Sequence, residues 1–331
     1  MASSGTYTFT VTRDQILNQS GLNLGKLGEG QSLTPAEISD MSFLLNMIVK
    51  QWQGKADGAV GLKTFTRRHG HLFLQASTGQ YLVGPAAQGW CAAGPQALGD
   101  PFVSPTLATT AVAGATSITL TSGTGIVAGS NVGVLLDSGT IQWTTAFASP
   151  IGNVLTLNAA LASQASVNAQ VFSYITANQG QQPIIVESCV LRDVYGEDIP
   201  IRIMRDVKEY SALPSKRDPN NISDPVAIYV EQQLFNSVLY TDCAGAQDPS
   251  KHLVIDYMEA VQDFNSSTDN PEFPQEWFLP ITWELSKQAA PMFRAVWTEN
   301  MEENWKLAVA IARRKEPETS VMYFQVGDDG T

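Results

Sequence analysis

"DNPEFPQEWFLPITWELSKQAAPMF", residues 269–293, passes from a proline-studded acidic lead-in to large apolar side chains within a few positions. Pro274 falls in the first turn of a helix, where its missing N–H goes unneeded, and Glu276 lies near the positive end of the dipole. Phe278, Ile281, Leu285, Gln288 and Met292 then line one side, with Trp277 and Trp283 flanking it. A helix this apolar needs cover. The next stretch, "AVWTENMEENWKLAVAIARRK" at 295–315, supplies another helix, with Trp297, Met301, Trp305, Ala308 and Ala312 at helical spacing. Its acids (Glu299, Glu302, Glu303) come first and its bases (Arg313, Arg314, Lys315) last, as the macrodipole favours, and Pro317 stops it.

The N-terminal segment offers two more helices. In "TYTFTVTRDQILNQSGLNLGKLG" an extended arm leads into a short helix capped by Thr12 or Asp14, with Ile16, Leu17 and Leu24 inward and the glycines from Gly21 to Gly30 ending it. "LTPAEISDMSFLLNMIVKQW" carries the strongest signal. Thr34 is the N-cap, Pro35 the first helical residue, and Glu37 completes a capping box. Ile38, Met41, Leu45, Ile48 and Trp52 form a continuous stripe, and Phe43, Leu44 and Met47 widen it beyond one core face. That width suits a helix that also meets a neighbouring subunit. Phe43, Leu44, Met47, Trp52, Trp277 and Trp283 are therefore the candidate subunit-packing residues.

Between these ends the pattern turns to strands. From Leu72 to Val186 the charged residues are Asp100 and Asp137 alone. Within that stretch "TSITLTS", "SNVGVLLD", "TIQWTTAF", "NVLTLNA" and "AQVFSYI" read as short strands, which predicts an inserted all-β barrel or sandwich over residues 106–176. Further on, "IIVESCVLRDVYGEDIPIRIMRDVKEYSAL" reads as strand, turn at Gly196, strand, and a short helix from Asp206. "PVAIYVEQQ", "SVLYTD" and "KHLVIDYMEAVQDF" continue as antiparallel strands.

The fold class expected is α+β: a helical bundle from the N- and C-terminal helices, an antiparallel β region, and the inserted module. The segments are an N-terminal arm and helices (1–60), an extended/β connector (61–105), the β module (106–176), the antiparallel region (177–268), the C-terminal helices (269–316) and an extended arm (317–331). In that arm Val321, Met322, Tyr323, Phe324 and Val326 are apolar residues outside any visible core, and read as docking anchors.

Composition narrows the function. Hydrophobic residues make up 44% of the 331 and charged residues 16%, enough for a core and too few charges for a disordered chain. Twenty Lys and Arg against 32 Asp and Glu give a net charge of −12. Such a chain gains little from nucleic-acid phosphates, whose affinity comes from cations releasing counterions. Cys91, Cys189 and Cys243 are odd in number and widely spaced, which fits assembly in a reducing compartment. Neither a secretory leader nor a membrane span is legible, so the expectation is a soluble protein made inside the cell.

Catalytic signatures are not legible either. His69 and His71 share a strand face, but neither the cysteines nor His252 stand at a ligand spacing, so no metal or other cofactor is expected. GxSxG, GxxxxGK[ST] and GxGxxG do not occur. Acid pairs such as Glu37 with Asp40, or Glu299 with Glu303, occupy helix caps and first turns, where they already serve the helix. The chain reads as a non-enzyme.

Three blocks resemble a known family. "TRDQILNQSGLNLGKLGEGQSLTPAEISDMSFLLNMIVKQWQ" is similar to the start of head-to-tail adaptor proteins of short-tailed phages, also called packaged-DNA stabilisation or head-completion proteins. Gly30, Leu33, Thr34, Glu37, Leu45, Asn46, Met47 and Trp52 stand at the matching positions. "VQDFNSSTDNPEFPQEWFLPITWELSKQAAPMF" resembles the C-terminal signature through Asp269, Asn270, Pro271, Phe273, Pro274, Glu276, Trp277 and Pro291. "LRDVYGEDIPIRIMRDVKEYSALPSK" resembles the block between them. Residues 84–180 depart from the family's compact form.

The resemblance implies a virion protein at the head–tail junction, assembled in the host cytoplasm: a ring of about twelve copies under the portal protein. Such a ring attaches tail, nozzle or tail-fibre proteins, retains packaged DNA and lets the double-stranded genome pass without sequence-specific binding or any membrane role. By position, residues 317–331 would be the portal-docking arm. The other classes weighed are a tail-tube gatekeeper ring, a receptor- or carbohydrate-binding virion protein acting through the β module, and a cell-wall hydrolase. For the carbohydrate reading, Trp143, Phe147, Phe172 and Tyr174 are either sugar-stacking faces or module core.

Overall fold

The computed structural model describes residues 9–28, 30–54, 67–93, 102–216, 218, 220–245 and 248–313. It is a mixed α+β chain with a few helices and several sheets, almost all antiparallel. Two compact units emerge: residues 1–65 with 261–331, and residues 66–260.

The first unit is helical. Its helices are α1 (Arg13–Asn23), α2 (Pro35–Gly54), α4 (Phe278–Ala289) and α5 (Glu299–Arg313). Thr12 caps α1 in a capping box with Gln15, and Ile16 and Leu17 are buried, as the spacing requires. Thr34 and Glu37 exchange the same reciprocal bonds at the start of α2: Thr34 N–H donates to the Glu37 carboxylate at 2.9 Å. Helix α4 is central, with α1, α2 and α5 all packed against it. Its buried residues are Phe278, Pro280, Ile281, Thr282, Glu284, Leu285, Ser286 and Ala289, so it is enclosed on more than the one side expected. Gln288 and Met292, expected inward, are exposed. A 3-10 turn at Gln275–Trp277 precedes α4, which puts Trp277 wholly inside.

An enclosed helix must satisfy its own hydroxyls. Thr282 Oγ1 donates to the Phe278 carbonyl at 2.7 Å and Ser286 Oγ to that of Thr282 at 2.7 Å, each one turn back. Ser286 also meets Ser20 of α1 at 3.0 Å, so small side chains let those two helices approach closely. One buried cluster therefore joins N-terminal residues (Leu17, Met41, Leu45, Trp52) to C-terminal ones (Trp277, Ile281, Leu285, Ala312).

The second unit holds the sheets. Strands β1 (Arg67–Phe73), β3 (Trp90–Ala93), β10 (Pro183–Arg192), β11 (Asp198–Pro200) and β15 (His252–Glu259) form one sheet in the order β11-β10-β15-β1-β3. Strands β2 (Gln80–Val83), β12 (Arg202–Met204), β13 (Ala227–Gln232) and β14 (Ser237–Thr241) form another, ordered β12-β13-β14-β2. Leu72, Tyr81, Val83, Trp90, Leu191, Ile228, Leu239 and Tyr257 share the core to which both sheets contribute. The pair β12·β13 is parallel, which departs from the expected antiparallel region. The short helix α3 (Val207–Ser211) begins where expected, with Asp206 as its N-cap, and lies in the connection that makes this crossover.

All five strands read in the module are present: β5 (Ser117–Thr119), β6 (Asn131–Leu135), β7 (Ile141–Thr145), β8 (Val154–Thr156) and β9 (Val171–Tyr174). They do not close into a barrel. With β4 (Phe102–Val103) they make a four-stranded sheet, β4-β9-β6-β7, and a separate pair, β5-β8. Edge strands β4 and β7 are not paired with each other, so the barrel expectation is corrected. One buried cluster, including Ile118, Val132, Val134, Leu155 and Val171, joins the two sheets. The opposite face of the larger sheet carries Phe172, Tyr174 and Ile141, which pack with Phe73 and Cys91. Covered on both faces, β9 is buried along its whole length.

Candidate interaction surface

The capping box fixes the rotation of α2, turning Met41, Leu45, Ile48 and Trp52 inward. Phe43 is then 67% exposed and Met47, one turn on, 48%, while Leu44 is half-buried against the core. Of the other candidate packing residues, Trp52 and Trp277 are buried in ring contact at 5.6 Å, which leaves them no surface for a second subunit. Trp283 is half-buried, edge-on to Trp297 at 6.2 Å. The outward pair on α2 is Phe43 and Met47.

Helix α5 presents a second pair that the sequence reading missed. Ala308, Val309 and Ala312 face inward, leaving Leu307 and Ile311 exposed one turn apart. The register of α5 is set by a lock with α4. Glu302 takes a 2.8 Å ion pair from Lys287 and a 2.9 Å bond from the Trp297 indole, and Lys287 lies 3.8 Å from the Trp305 ring centre. The hydrogen bond from Lys287, then that from Trp297, holds the Glu302 carboxyl below its ordinary range. The "L-x-x-x-I" at 307–311 was the available signal; the Trp-led stripe obscured it.

In the β unit, hairpin tips carry isolated large side chains: Tyr195 between β10 and β11, and Leu234 and Phe235 between β13 and β14. Of the four aromatic residues weighed for sugar stacking, Phe172 and Tyr174 are buried and Trp143 is half-buried, whereas Phe147 is exposed. Val321, Met322, Tyr323, Phe324 and Val326 lie outside the described residues.

The electrostatics are those of an acidic surface. Most described Lys and Arg side chains are paired with carboxylates, among them Lys26 with Glu37, Lys50 with Asp263, Arg67 with Glu187, Arg68 with Glu259 and Lys251 with Asp224. Few described cations are left to meet phosphate. Glu37 shows why the cap acids are structural: bonds from the Thr34 backbone and hydroxyl, then Lys26, hold its carboxyl down to about 2.

His69 and His71 share a strand face, but Phe102 covers only His71, at 5.0 Å between rings. His69 is exposed and bonded to Asp256, while burial, then the charges of Arg192 and His69, push His71 down to about 4. Among the described residues no group of three or more His, Cys, Asp or Glu side chains could hold a metal ion. No described helix is long and apolar enough to cross a membrane. Compared with family models, curated proteins and solved structures, the chain matches none.

Proposed function

We propose that this protein is a structural connector: a ring of identical subunits bound to the portal protein at a phage head–tail junction, without turnover of its own. The observation that carries this reading is the pair of separate apolar patches on the helical unit, Phe43 with Met47 on α2 and Leu307 with Ile311 on α5. A head-to-tail ring needs two different, complementary surfaces on every subunit, whereas a twofold dimer needs one. Both helices pack on α4 and not substantially on each other, so the patches are distinct.

On this reading the four long helices act as the ring-forming bundle, and the β unit meets the tail, its nozzle or its fibres. The acid excess, −12 for each copy, keeps the lumen repellent to DNA phosphates, so that the genome is retained from above yet slides when released. The arm at 317–331 anchors the ring to the portal.

The test is negative-stain microscopy of the purified protein mixed with the portal rings of its own phage, beside a variant ending after Pro317. A second collar on the portal, lost with the arm, is expected. Bare portals with the full chain overturn the reading, and a collar that survives truncation moves the anchor into the helices.

A further inference from the structure

We propose that the cleft beside Trp143 binds a neutral carbohydrate. It is a shallow space of about 200 Å³ in the β unit, where the 86–88 turn, β6, β7, the end of β9 and Gln179 meet. That is room for a sugar ring or two and not for a long chain. The half-buried Trp143 supplies its aromatic face, backed by the buried Tyr174 edge to face at 5.7 Å. Gln88, Asn131, Gln179 and Thr144 supply the polar rim.

The chemistry of that set is selective. A pyranose ring has an apolar C–H face that packs on aromatic carbon, and hydroxyls that both donate and accept. Primary amides match them because each side chain also does both. Gln179 donates to the Ala87 carbonyl at 2.9 Å and Asn131 to the Thr176 hydroxyl at 3.5 Å, which leaves each amide oxygen and a second N–H for a ligand. No charged side chain lines the cleft. The nearest acid in sequence, Asp137 in the β6–β7 turn, is occupied by Ser166 and Gln164 of the β8–β9 connection. A phosphate, carboxylate or amine would therefore be desolvated here without a counter-charge.

Trp143 is fixed by glycines. A β-carbon on Gly133 would stand 2.8 Å from the indole, and one on Gly89, whose φ is +75°, would stand 3.0 Å from Nε1. The aromatic wall is thus set before any ligand arrives.

The test uses the full-length protein. Saturation-transfer NMR with glucose, galactose, mannose and N-acetylglucosamine, followed by a glycan array, is expected to show transfer to at least one neutral sugar and neutral glycans among the array hits. Gln88→Ala, at an exposed rim position, should weaken that binding about fivefold or more, the scale of one lost hydrogen bond. Trp143→Phe should abolish it. If Trp143→Phe does not fold, Asn131→Ala is the second reading of the same cleft. Silence across the neutral panel, hits confined to anionic glycans, or binding unchanged in folded Gln88→Ala and Asn131→Ala overturns the proposal. None of these outcomes bears on the connector reading.

Discussion

The indole of Trp90 occupies the space a side chain on Gly70 would need: a β-carbon built there would stand 2.1 Å from the ring. The two residues are diagonal neighbours on β1 and β3, where Gly70 pairs with Ala92 and Leu72 with Trp90. Gly180 clears the indole on another side, its would-be β-carbon 2.3 Å from Nε1. Trp90 is fully buried, with Tyr257 at 5.2 Å and its Nε1 donating to the Gln181 carbonyl at 3.3 Å. Glycine here serves packing, since the φ of neither residue is in the left-handed region.

Gly70→Ala should accordingly destabilise the protein by about 1–3 kcal/mol, the ordinary cost of overpacking a filled core. Urea unfolding should show a lower midpoint with an unchanged slope. An unaffected midpoint would mean that Trp90 moves aside without cost.

Helix α4 makes the matching prediction for the helical unit. Ile281 and Leu285 are wholly buried between α1, α2 and α5, so Ile281→Ala and Leu285→Ala should each cost about 2–5 kcal/mol. Leu279→Ala, at an exposed position of the same helix, should stay within about 0.5 kcal/mol. The contrast tests the enclosure of α4, because a helix with a single inner face would not place Pro280, Thr282 and Glu284 out of solvent as well.

What the sequence made legible follows from how local each signal is. The caps Thr12 and Thr34, and the helix start at Asp206, depend on residues three or fewer positions away, and all three side chains reach their bonds. The five module strands were legible because their turns are local; Gly152 and Asn153, both at positive φ, make the two-residue turn between Ile151 and Val154. Closure was not legible. Whether the edges β4 and β7 meet depends on pairings across tens of residues, as does the parallel β12·β13 pair. The interaction surface divided the same way. Phe43 and Met47 stood out as excess width on a well-registered helix. Trp52 and Trp277 were drawn from the wrong side of the ledger, since an aromatic at helical spacing looks alike in a core and at an interface. The α5 patch had a local signal in the 307–311 spacing, hidden behind the Trp-led stripe, whereas the cleft at Trp143 depends on segments far apart in sequence.

Acid should weaken the fold through His71. Its pKa is pushed down to about 4 by burial, then by Arg192 and His69, against an ordinary value of 6.5. Between those values the unfolded chain binds the proton and the folded one does not. Stability is therefore fully present above pH 6.5, falls as the pH drops toward 4, and stops falling from this source below that. The difference corresponds to about 3 kcal/mol at most, at ~1.4 kcal/mol for each unit. Urea midpoints from pH 7 to 4 should show the slope, and His71→Gln should flatten it. A wild-type slope retained in His71→Gln would assign the effect to other groups.

The two apolar patches make a prediction that separates a ring from a dimer. Phe43→Asp with Met47→Asp removes the α2 patch, and Leu307→Asp with Ile311→Asp removes the α5 patch; all four side chains are exposed, so thermal stability should change little. If α2 of one subunit meets α5 of the next, either double variant alone should be monomeric by light scattering, and neither should form a collar on the portal. Mixed together, they should yield a dimer and nothing larger, because one intact α5 patch meets one intact α2 patch and the chain of contacts ends there. If instead each patch pairs with its own kind, each variant alone should still dimerise through the patch it keeps. Mixing would then add nothing, and the head-to-tail arrangement would be wrong.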